Sequence, residues 1–172
     1  SAAPAPRLAA ESFGRHSDKA KRKGRQRTCI IKQRNDMENL KEIVKKFYTD
    51  CLTVNTYADA AAVMGDLLAD DFTSVGSVET KGKAALIGQV RFFWQLIPDL
   101  KWEVQEMLQE GNKVVVRSIA SGAPKGDFMG VPLDGSKSFK IMTIDIHTVE
   151  GGQIKQVHHL EDWVVAMKQL KG

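Results

Sequence analysis

Four ionisable side chains near the end of the chain are of the types that perform acid–base chemistry: Asp145, His147, His158 and Asp162. A carboxylate enclosed by apolar groups becomes a general base when burial raises its pKa toward the working pH. An imidazole titrates near neutral pH and can donate a proton to a developing oxyanion. If the four side chains share one face of a sheet, that face is either a wet outer surface or the polar floor of a pocket.

A hairpin positions these side chains. Gly151-Gly152 is a two-residue turn between two alternating segments, so Glu150 is expected to pair with Gln153. Counting outward places Asp145 opposite His158, and the period of two puts all four ionisable residues on one face. We expect an Asp145–His158 pair, with Asp162 deeper in the pocket or nearer its rim. A register slip of one residue would exchange the two faces.

Helical patterns precede a run of strands. An apolar stripe predicts an amphipathic helix from Leu40 to Leu52, and further helices are expected over about 57–69 and 83–96, the last stopped by Pro98. Strands are expected at about 72–75, 101–109, 113–121, 137–149 and 153–163, with a short terminal helix at 164–170. This order predicts an α+β domain: a cone-shaped barrel in which a curved antiparallel or mixed sheet wraps around the N-terminal helices and leaves a pocket.

Charge divides the chain at about residue 36. The formal net charge is +4, but residues 1–36 hold ten Lys/Arg and three Asp/Glu, a net of +7, so residues 37–172 are mildly acidic. We interpret 1–36 as a basic flexible leader, of cloning or read-through origin or a nucleic-acid-binding arm. Because no aromatic residue interrupts its basic run, we do not expect nucleic acid as a partner. Residues 37–172 form the predicted domain.

Cysteine content and hydropathy indicate the compartment. Cys29 and Cys51 form neither a metal-binding spacing nor a disulfide framework, and no apolar run approaches the length of a membrane span. The start of the chain has no secretory h-region. We therefore expect a soluble, cytoplasmic protein with no membrane partner.

Four motifs resemble a known family in order and spacing. They are Ile97–Leu100 (IPDL), Gly111–Arg117 (GNKVVVR), Gly126–Gly135 (GDFMGVPLDG) and Gly151–Asp162 (GGQIKQVHHLED). From about Met37 onward the chain resembles the SnoaL-like polyketide cyclases of the ketosteroid isomerase and nuclear transport factor 2-like superfamily. It departs from the family pattern at four places, listed here: Gln156 for glutamate, His158 for tryptophan, Ala123-Pro124 for Thr-His, and Thr148 for arginine.

The resemblance implies a cofactor-independent enzyme that acts on a small hydrophobic carbonyl compound. Asp162 matches the family's general base, which removes a proton next to a carbonyl before an aldol cyclisation or a double-bond shift. His158 or a protonated Asp145 would then donate to the enolate. The residues expected to line the substrate pocket are Arg117, Trp94, Phe93, Phe128 and His147.

Each of these residues also has a plainer interpretation. Asp162 is well placed to cap the terminal helix, and Arg117 to form an ion pair on a strand. Trp94 and Phe93 fit an ordinary core, and a strand histidine such as His158 is often merely hydrogen-bonded. We expect no metal, since no histidine pair reaches a third ligand at suitable spacing.

Two other functions remain open. Limonene epoxide hydrolase, a relative in the superfamily, opens epoxides with two aspartates and an arginine, a set that Asp145, Asp162 and Arg117 would form if they met in space. A non-catalytic ligand-binding or scaffold domain is the other alternative. In every case we expect a homodimer through the convex sheet face, whose apolar residues are predicted to be Met142, Ile144, Ile146, Val157 and Trp163.

Overall fold

The computed structural model describes residues 21–28, 40–54, 56 and 59–172. Contacts divide the chain into Ser1–Met37 and Glu38–Gly172. In the first unit, residues 21–28 form a helix in which every residue is exposed. Composition predicts an unfolded arm at this position. The rest of that unit, including Cys29, lies outside the described residues. Within the described ranges, no helix is both long and apolar enough to cross a membrane.

The helices of the second unit follow the apolar patterns of the sequence. They are α1 (residues 40–52, with the π-helical turn Phe47–Leu52), α2 (Ala60–Leu67), α3 (Lys83–Leu96) and α4 (Trp163–Lys171). The stripe of α1 is buried through Val44, Phe47, Tyr48 and Cys51. α3 ends directly before Ile97 and Pro98, because proline disfavours the helical conformation of the residue before it.

Eight strands form one large and one small sheet. The strands are β1 (Leu68–Val75), β2 (Thr80–Gly82), β3 (Lys101–Glu110), β4 (Lys113–Gly122), β5 (Lys125–Phe128), β6 (Val131–Asp134), β7 (Phe139–Glu150) and β8 (Gln153–Glu161). The large sheet has the order β2-β1-β8-β7-β4-β3 and is open at its edges, while β5 and β6 pair separately. Since β1 and β8 are parallel and the other pairs are antiparallel, the sheet is mixed. The α+β prediction is confirmed, and β2 and the β5–β6 hairpin are additions to it.

The hairpin of β7 and β8 begins as the sequence predicts and then changes register. Gly151 and Gly152 have φ values of 58° and 82°, which suit the hairpin turns that require positive φ at both central residues. Glu150 pairs with Gln153 as predicted. A β-bulge at Lys155 then adds one residue to β8, since Val149 pairs with Ile154 and Thr148 with Gln156.

The bulge exchanges the faces of the outer half of β8. Asp145 lies opposite His159, so the predicted pairing of Asp145 with His158 is wrong, as are the pairings built on the same count. His158 is exposed on the outer face of the sheet, and His159 faces inward. Val157, predicted on the convex face, is 2% exposed and lies inside, as does Trp163, whose ring contacts those of core aromatic residues.

Candidate active site

A cavity of about 370 Å³ lies between the inner face of the large sheet and helices α1 and α3. This volume is in the range of small-molecule sites. Its wall is largely apolar and includes Phe47, Leu86, Val90, Phe93, Leu100, Trp102, Val157 and Trp163. Its polar lining comes mainly from neighbouring strands and includes Ser74, Asp145, His159 and Glu161. The cavity therefore suits an apolar molecule with a few polar atoms.

Asp145 is the most perturbed acid of the cavity. It lies on β7, is 3% exposed and belongs to the cavity lining. Burial raises its pKa from 3.8 to about 7, against the opposing effect of a hydrogen bond from Tyr48, with the Glu161 charge raising it further. A carboxyl with such a pKa is half ionised near neutral pH, as a general base requires.

A buried hydrogen-bond chain holds Asp145 from behind. The Tyr48 hydroxyl of α1 donates to Asp145 Oδ2 at 2.6 Å and lies 2.7 Å from His147 Nε2. Burial raises the pKa of Tyr48 well above its ordinary value, so the hydroxyl keeps its proton. Because Tyr48 has one proton and gives it to Asp145, Nε2 of His147 is the nitrogen that donates to Tyr48.

His147 supports the site without lining it. The side chain is fully buried, and burial lowers its pKa to about 3, with the His159 charge acting in the same direction. His147 is therefore neutral near pH 7. Its Nδ1 has no hydrogen-bond partner among the described residues, which agrees with a bare lone pair on that nitrogen. The chain His147–Tyr48–Asp145 fixes the orientation of the carboxyl group and leaves its Oδ1 without a partner among the described residues.

His159 and Glu161 form a second acid–base pair beside Asp145. His159 Nδ1 lies 2.9 Å from Glu161 Oε1, and this hydrogen bond raises the pKa of the histidine, with the Glu161 and Asp145 charges adding to the effect. The imidazole ring lies against Gly76, where an added Cβ would be 3.2 Å from both Cε1 and Nε2. Since Glu161 takes Nδ1, Nε2 is the nitrogen that could donate to a bound molecule.

The predicted catalytic residues separate in the structure. Asp145 lines the cavity, whereas Asp162 is exposed and caps α4 by accepting a hydrogen bond from the Val165 amide at 3.1 Å. His158 is exposed on the opposite face of the sheet from Asp145. The plainer interpretation of Asp162 as a helix cap is the one that its geometry matches.

The residues needed for epoxide opening do not come together either. Arg117 on β4 pairs with Ile144, so it faces outward, away from Asp145. Its guanidinium Nε lies 3.4 Å from Glu106 Oε2 in an exposed ion pair. Arg117 therefore does not bridge Asp145 and Asp162.

The predicted aromatic residues lie at different depths. Phe93 is part of the cavity wall. Phe128 is buried behind it, stacked on Phe139 at 6.1 Å between ring centroids, with Phe93 at 6.3 Å. Trp94 packs against the core, and its buried indole nitrogen has no partner among the described residues. Phe93 therefore forms part of the cavity surface, while Phe128 packs behind it.

Sequence reasoning missed three residues of the site. Tyr48 is one member of the apolar stripe of α1, and its hydroxyl reaches Asp145 across 97 positions of sequence. An unbroken register would put His159 and Glu161 on the outer face, and the bulge at Lys155, which turns them inward, has no glycine or proline to mark it. Across the described residues, no group of three or more metal-ligating side chains is assembled.

Comparison with known proteins gives one family and one fold. A family model described as SnoaL-like polyketide cyclase matches residues 42–170. A search of curated proteins found no match. Among solved structures, a protein described as a SnoaL-like polyketide cyclase from Jannaschia sp. CCS1 has a TM-score of 0.71 at 21% identity, over 79% of this chain and 94% of that one.

Two further structures have the same fold. IdmH from Streptomyces antibioticus, described as a polyketide cyclase, has a TM-score of 0.67 at 21% identity, over 77% of this chain and 99% of that one. A Catenulispora acidiphila protein with a ketosteroid isomerase-like fold, in complex with trimethylamine, has a TM-score of 0.61 at 17% identity, over 76% and 92% of the two chains. At these identities the likeness establishes the fold.

Proposed function

Because the chain belongs to the SnoaL-like polyketide cyclase family, we propose that it is a cofactor-independent enzyme of the cyclase or isomerase type that acts on an apolar carbonyl compound. Asp145 is the general base in this proposal, in place of Asp162. The observation that carries it is the position of Asp145: its carboxyl lines an apolar cavity, has a pKa of about 7 and is held by the Tyr48 hydroxyl.

The proposed reaction begins with a proton transfer. The Asp145 carboxylate takes a proton from the carbon next to the substrate carbonyl, and the electron pair of that C–H bond becomes the enolate. His159, whose pKa is raised by its hydrogen bond with Glu161, donates a hydrogen bond from Nε2 to the enolate oxygen. His147 and Tyr48 keep the carboxyl group in place during the transfer.

The fate of the enolate determines the product. In a cyclisation, its carbon attacks a second carbonyl of the same molecule, and the resulting alkoxide takes a proton from His159. The proton held by Asp145 is then released to solvent and His159 takes one up, which restores both groups. In an isomerisation, Asp145 returns its proton to a carbon further along the conjugated system. The apolar wall, including Phe93 and Trp102, excludes water and favours the intramolecular reaction in both cases.

Exchange of the substrate's α-proton tests this proposal. Polycyclic and monocyclic ketones are incubated in D₂O with the wild type, Asp145→Asn and Asp162→Asn, and deuterium uptake is followed by NMR. We expect uptake with the wild type and Asp162→Asn, and a loss of about 10²- to 10⁴-fold with Asp145→Asn. Loss of deuterium uptake with Asp162→Asn alone would mean that Asp162 is the general base. Ketone binding without exchange would assign the domain to ligand binding.

We also propose that two copies pair through the outer face of the large sheet. The face carries large apolar side chains that are 40–62% exposed: Leu108, Met142, Ile144, Ile146 and Leu160. Exposed apolar side chains grouped on one sheet face are typical of protein–protein contact surfaces. Sedimentation of the full chain at micromolar concentration is expected to give a dimer, and Ile144→Lys a monomer. A monomeric wild type would contradict this proposal.

A further inference from the structure

A shallow groove adjoins the cavity at the N-terminal end of α4. Met129 and Trp163 belong to the lining of both, and the groove continues along α4 past Val164 and Met167. We define the outer groove by these four residues together with Lys168, Lys171 and Gly172. Because the cavity and the outer groove share two wall residues, they meet at Met129 and Trp163.

Met129 adopts a backbone conformation that methionine normally avoids. Its φ is 53°, the single positive value at a non-glycine residue in the part of the chain that the structure describes. It occupies the turn between Phe128 and Val131 together with Gly130, whose φ is 77°. Asparagine or glycine is the usual residue at this turn position. Strain of this kind, at a residue that lines both the cavity and the groove, points to a role in ligand contact.

Two lysines, Lys168 and Lys171, line the far end of the outer groove. Lys168 and Lys171 lie five and eight residues after Trp163 on α4, about 8–12 Å along the helix axis. Neither takes part in an ion pair with another described side chain. Lys137 adds a third ammonium group there, donating to the Lys171 carbonyl at 3.0 Å. Lysines in a last helical turn also balance the helix dipole, but that role requires no apolar path leading to them.

We propose that the substrate is an elongated amphipathic anion. Its apolar carbonyl-bearing part occupies the cavity, its chain passes between Met129 and Trp163, and its acidic group lies against Lys168 and Lys171. This proposal deepens the proposed function and rests on it for the identity of the reacting part. The position of the acidic group, roughly 10 Å beyond Trp163, sets the length of the connecting chain.

Binding of matched acids and esters tests the inference apart from catalysis. Long-chain keto carboxylic acids, their methyl esters and keto alkyl phosphates of the same length are titrated by calorimetry at low ionic strength. We expect the acid to bind the wild type about fivefold to tenfold more tightly than the ester, the scale of two exposed charge pairs. The phosphate arm shows which anion is preferred, and 0.5 M salt should remove the preference.

A matched pair of double variants locates the charge. Lys168→Gln/Lys171→Gln should lose the preference for the acid and keep the affinity for the ester. The control Lys45→Gln/Lys46→Gln removes two exposed lysines of α1 and should keep the preference. The inference would be overturned if the wild type bound acid and ester equally, or if it bound no acid of the series. It would also be overturned if the preference for the acid survived in the first variant or was lost in both variants alike.

The outcome of this experiment is separable from that of the proposed function. Asp145→Asn should bind the acid with its preference intact while it loses α-proton exchange. Exchange with acids and esters at equal rates and affinities would overturn the elongated anion and leave the proposed enzyme standing. A preference for acids without α-proton exchange would support the elongated anion and overturn the proposed enzyme.

Met129→Asn provides a second measurement. Asparagine suits the turn, so the melting temperature should rise, whereas affinity for acid and ester alike should fall several-fold because the apolar contact is lost. Unchanged affinity would remove Met129 from the binding path.

Discussion

The middle of β7 reverses the polarity expected of a strand with one buried side. Its buried side chains include Asp145 and His147, while Ile144 and Ile146 between and beside them are 43% and 40% exposed. Burial of titratable groups costs free energy, and so does exposure of large apolar ones. In our proposals, this strand is shaped by what it binds: a reacting molecule on one side and a second copy on the other.

The largest test of this contrast replaces the buried acid. The pKa of Asp145 is raised from 3.8 to about 7, so the folded protein holds a proton that the unfolded chain releases, and stability from this group falls as pH rises across that window. At about 1.4 kcal/mol per pKa unit, the free energy of unfolding of Asp145→Asn should rise by on the order of 4 kcal/mol relative to that of the wild type between pH 4 and pH 8. Urea denaturation at both pH values measures it. A constant difference between the two proteins would refute the burial of a titrating carboxyl.

The buried histidine should give the opposite slope. The pKa of His147 is lowered from 6.5 to about 3, so the unfolded chain binds a proton that the folded protein does not, and stability falls as pH drops from about 6.5 toward 3. His147→Asn removes this loss. Its free energy of unfolding should therefore rise by about 3 kcal/mol relative to that of the wild type as pH falls from 7 to 4. Denaturation curves at these two pH values decide the matter. A relative loss of stability in acid would mean that His147 is charged in the fold.

Tyr48→Phe should have a smaller effect on stability and a diagnostic effect on pH. Loss of a buried hydrogen bond to Asp145 should lower the free energy of unfolding by about 1–3 kcal/mol. Because that hydrogen bond lowers the pKa of Asp145, its removal should move the acidic limb of the exchange–pH profile upward from about 7. An unmoved limb would show that Tyr48 only packs.

The smallest expected effect is that of replacing His159, and the adjacent His158 provides the closest control. His159 faces inward and pairs with Glu161, whereas His158 is exposed on the outer face. The pKa of His159 is raised, so its pairing stabilises the fold fully below pH 6.5 and that contribution is lost as pH rises through the folded pKa. Since the pair is partly exposed, His159→Gln should lower stability at pH 6 by less than about 1 kcal/mol. His158→Gln should leave both stability and exchange unchanged.

These contrasts also show how far the sequence leads. Local patterns predicted α3, the Gly151-Gly152 turn and the pairing of Glu150 with Gln153, because turn geometry and helical spacing are decided within a few residues. The bulge at Lys155 depends on how β8 fits between β1 and β7, which no local signal carries. Asp145 was therefore assigned to the site but given the wrong neighbour.

The other gap concerns residues far apart in sequence. Tyr48 has the position and the apolar neighbours of a core residue, and only the folded contact reveals its hydroxyl as a donor to Asp145. Asp162 matches both the general-base position of the family and the N-cap position of a helix. The sequence does not show whether its side chain enters the pocket or caps α4, so it could not separate the two interpretations. Periodicity describes the faces of single elements, whereas the site is made where several elements meet.

The bulge at Lys155 has a consequence for the divergence of this sheet. A single-residue deletion there would rotate every later side chain of β8 by half a turn, moving His158 inward and both His159 and Glu161 outward in one event. Point substitutions would need several coordinated changes to do the same. In an alignment of relatives, a one-residue gap at this position would therefore mark an exchange of chemistry, and the residues beside it should be compared by the face they occupy rather than by column.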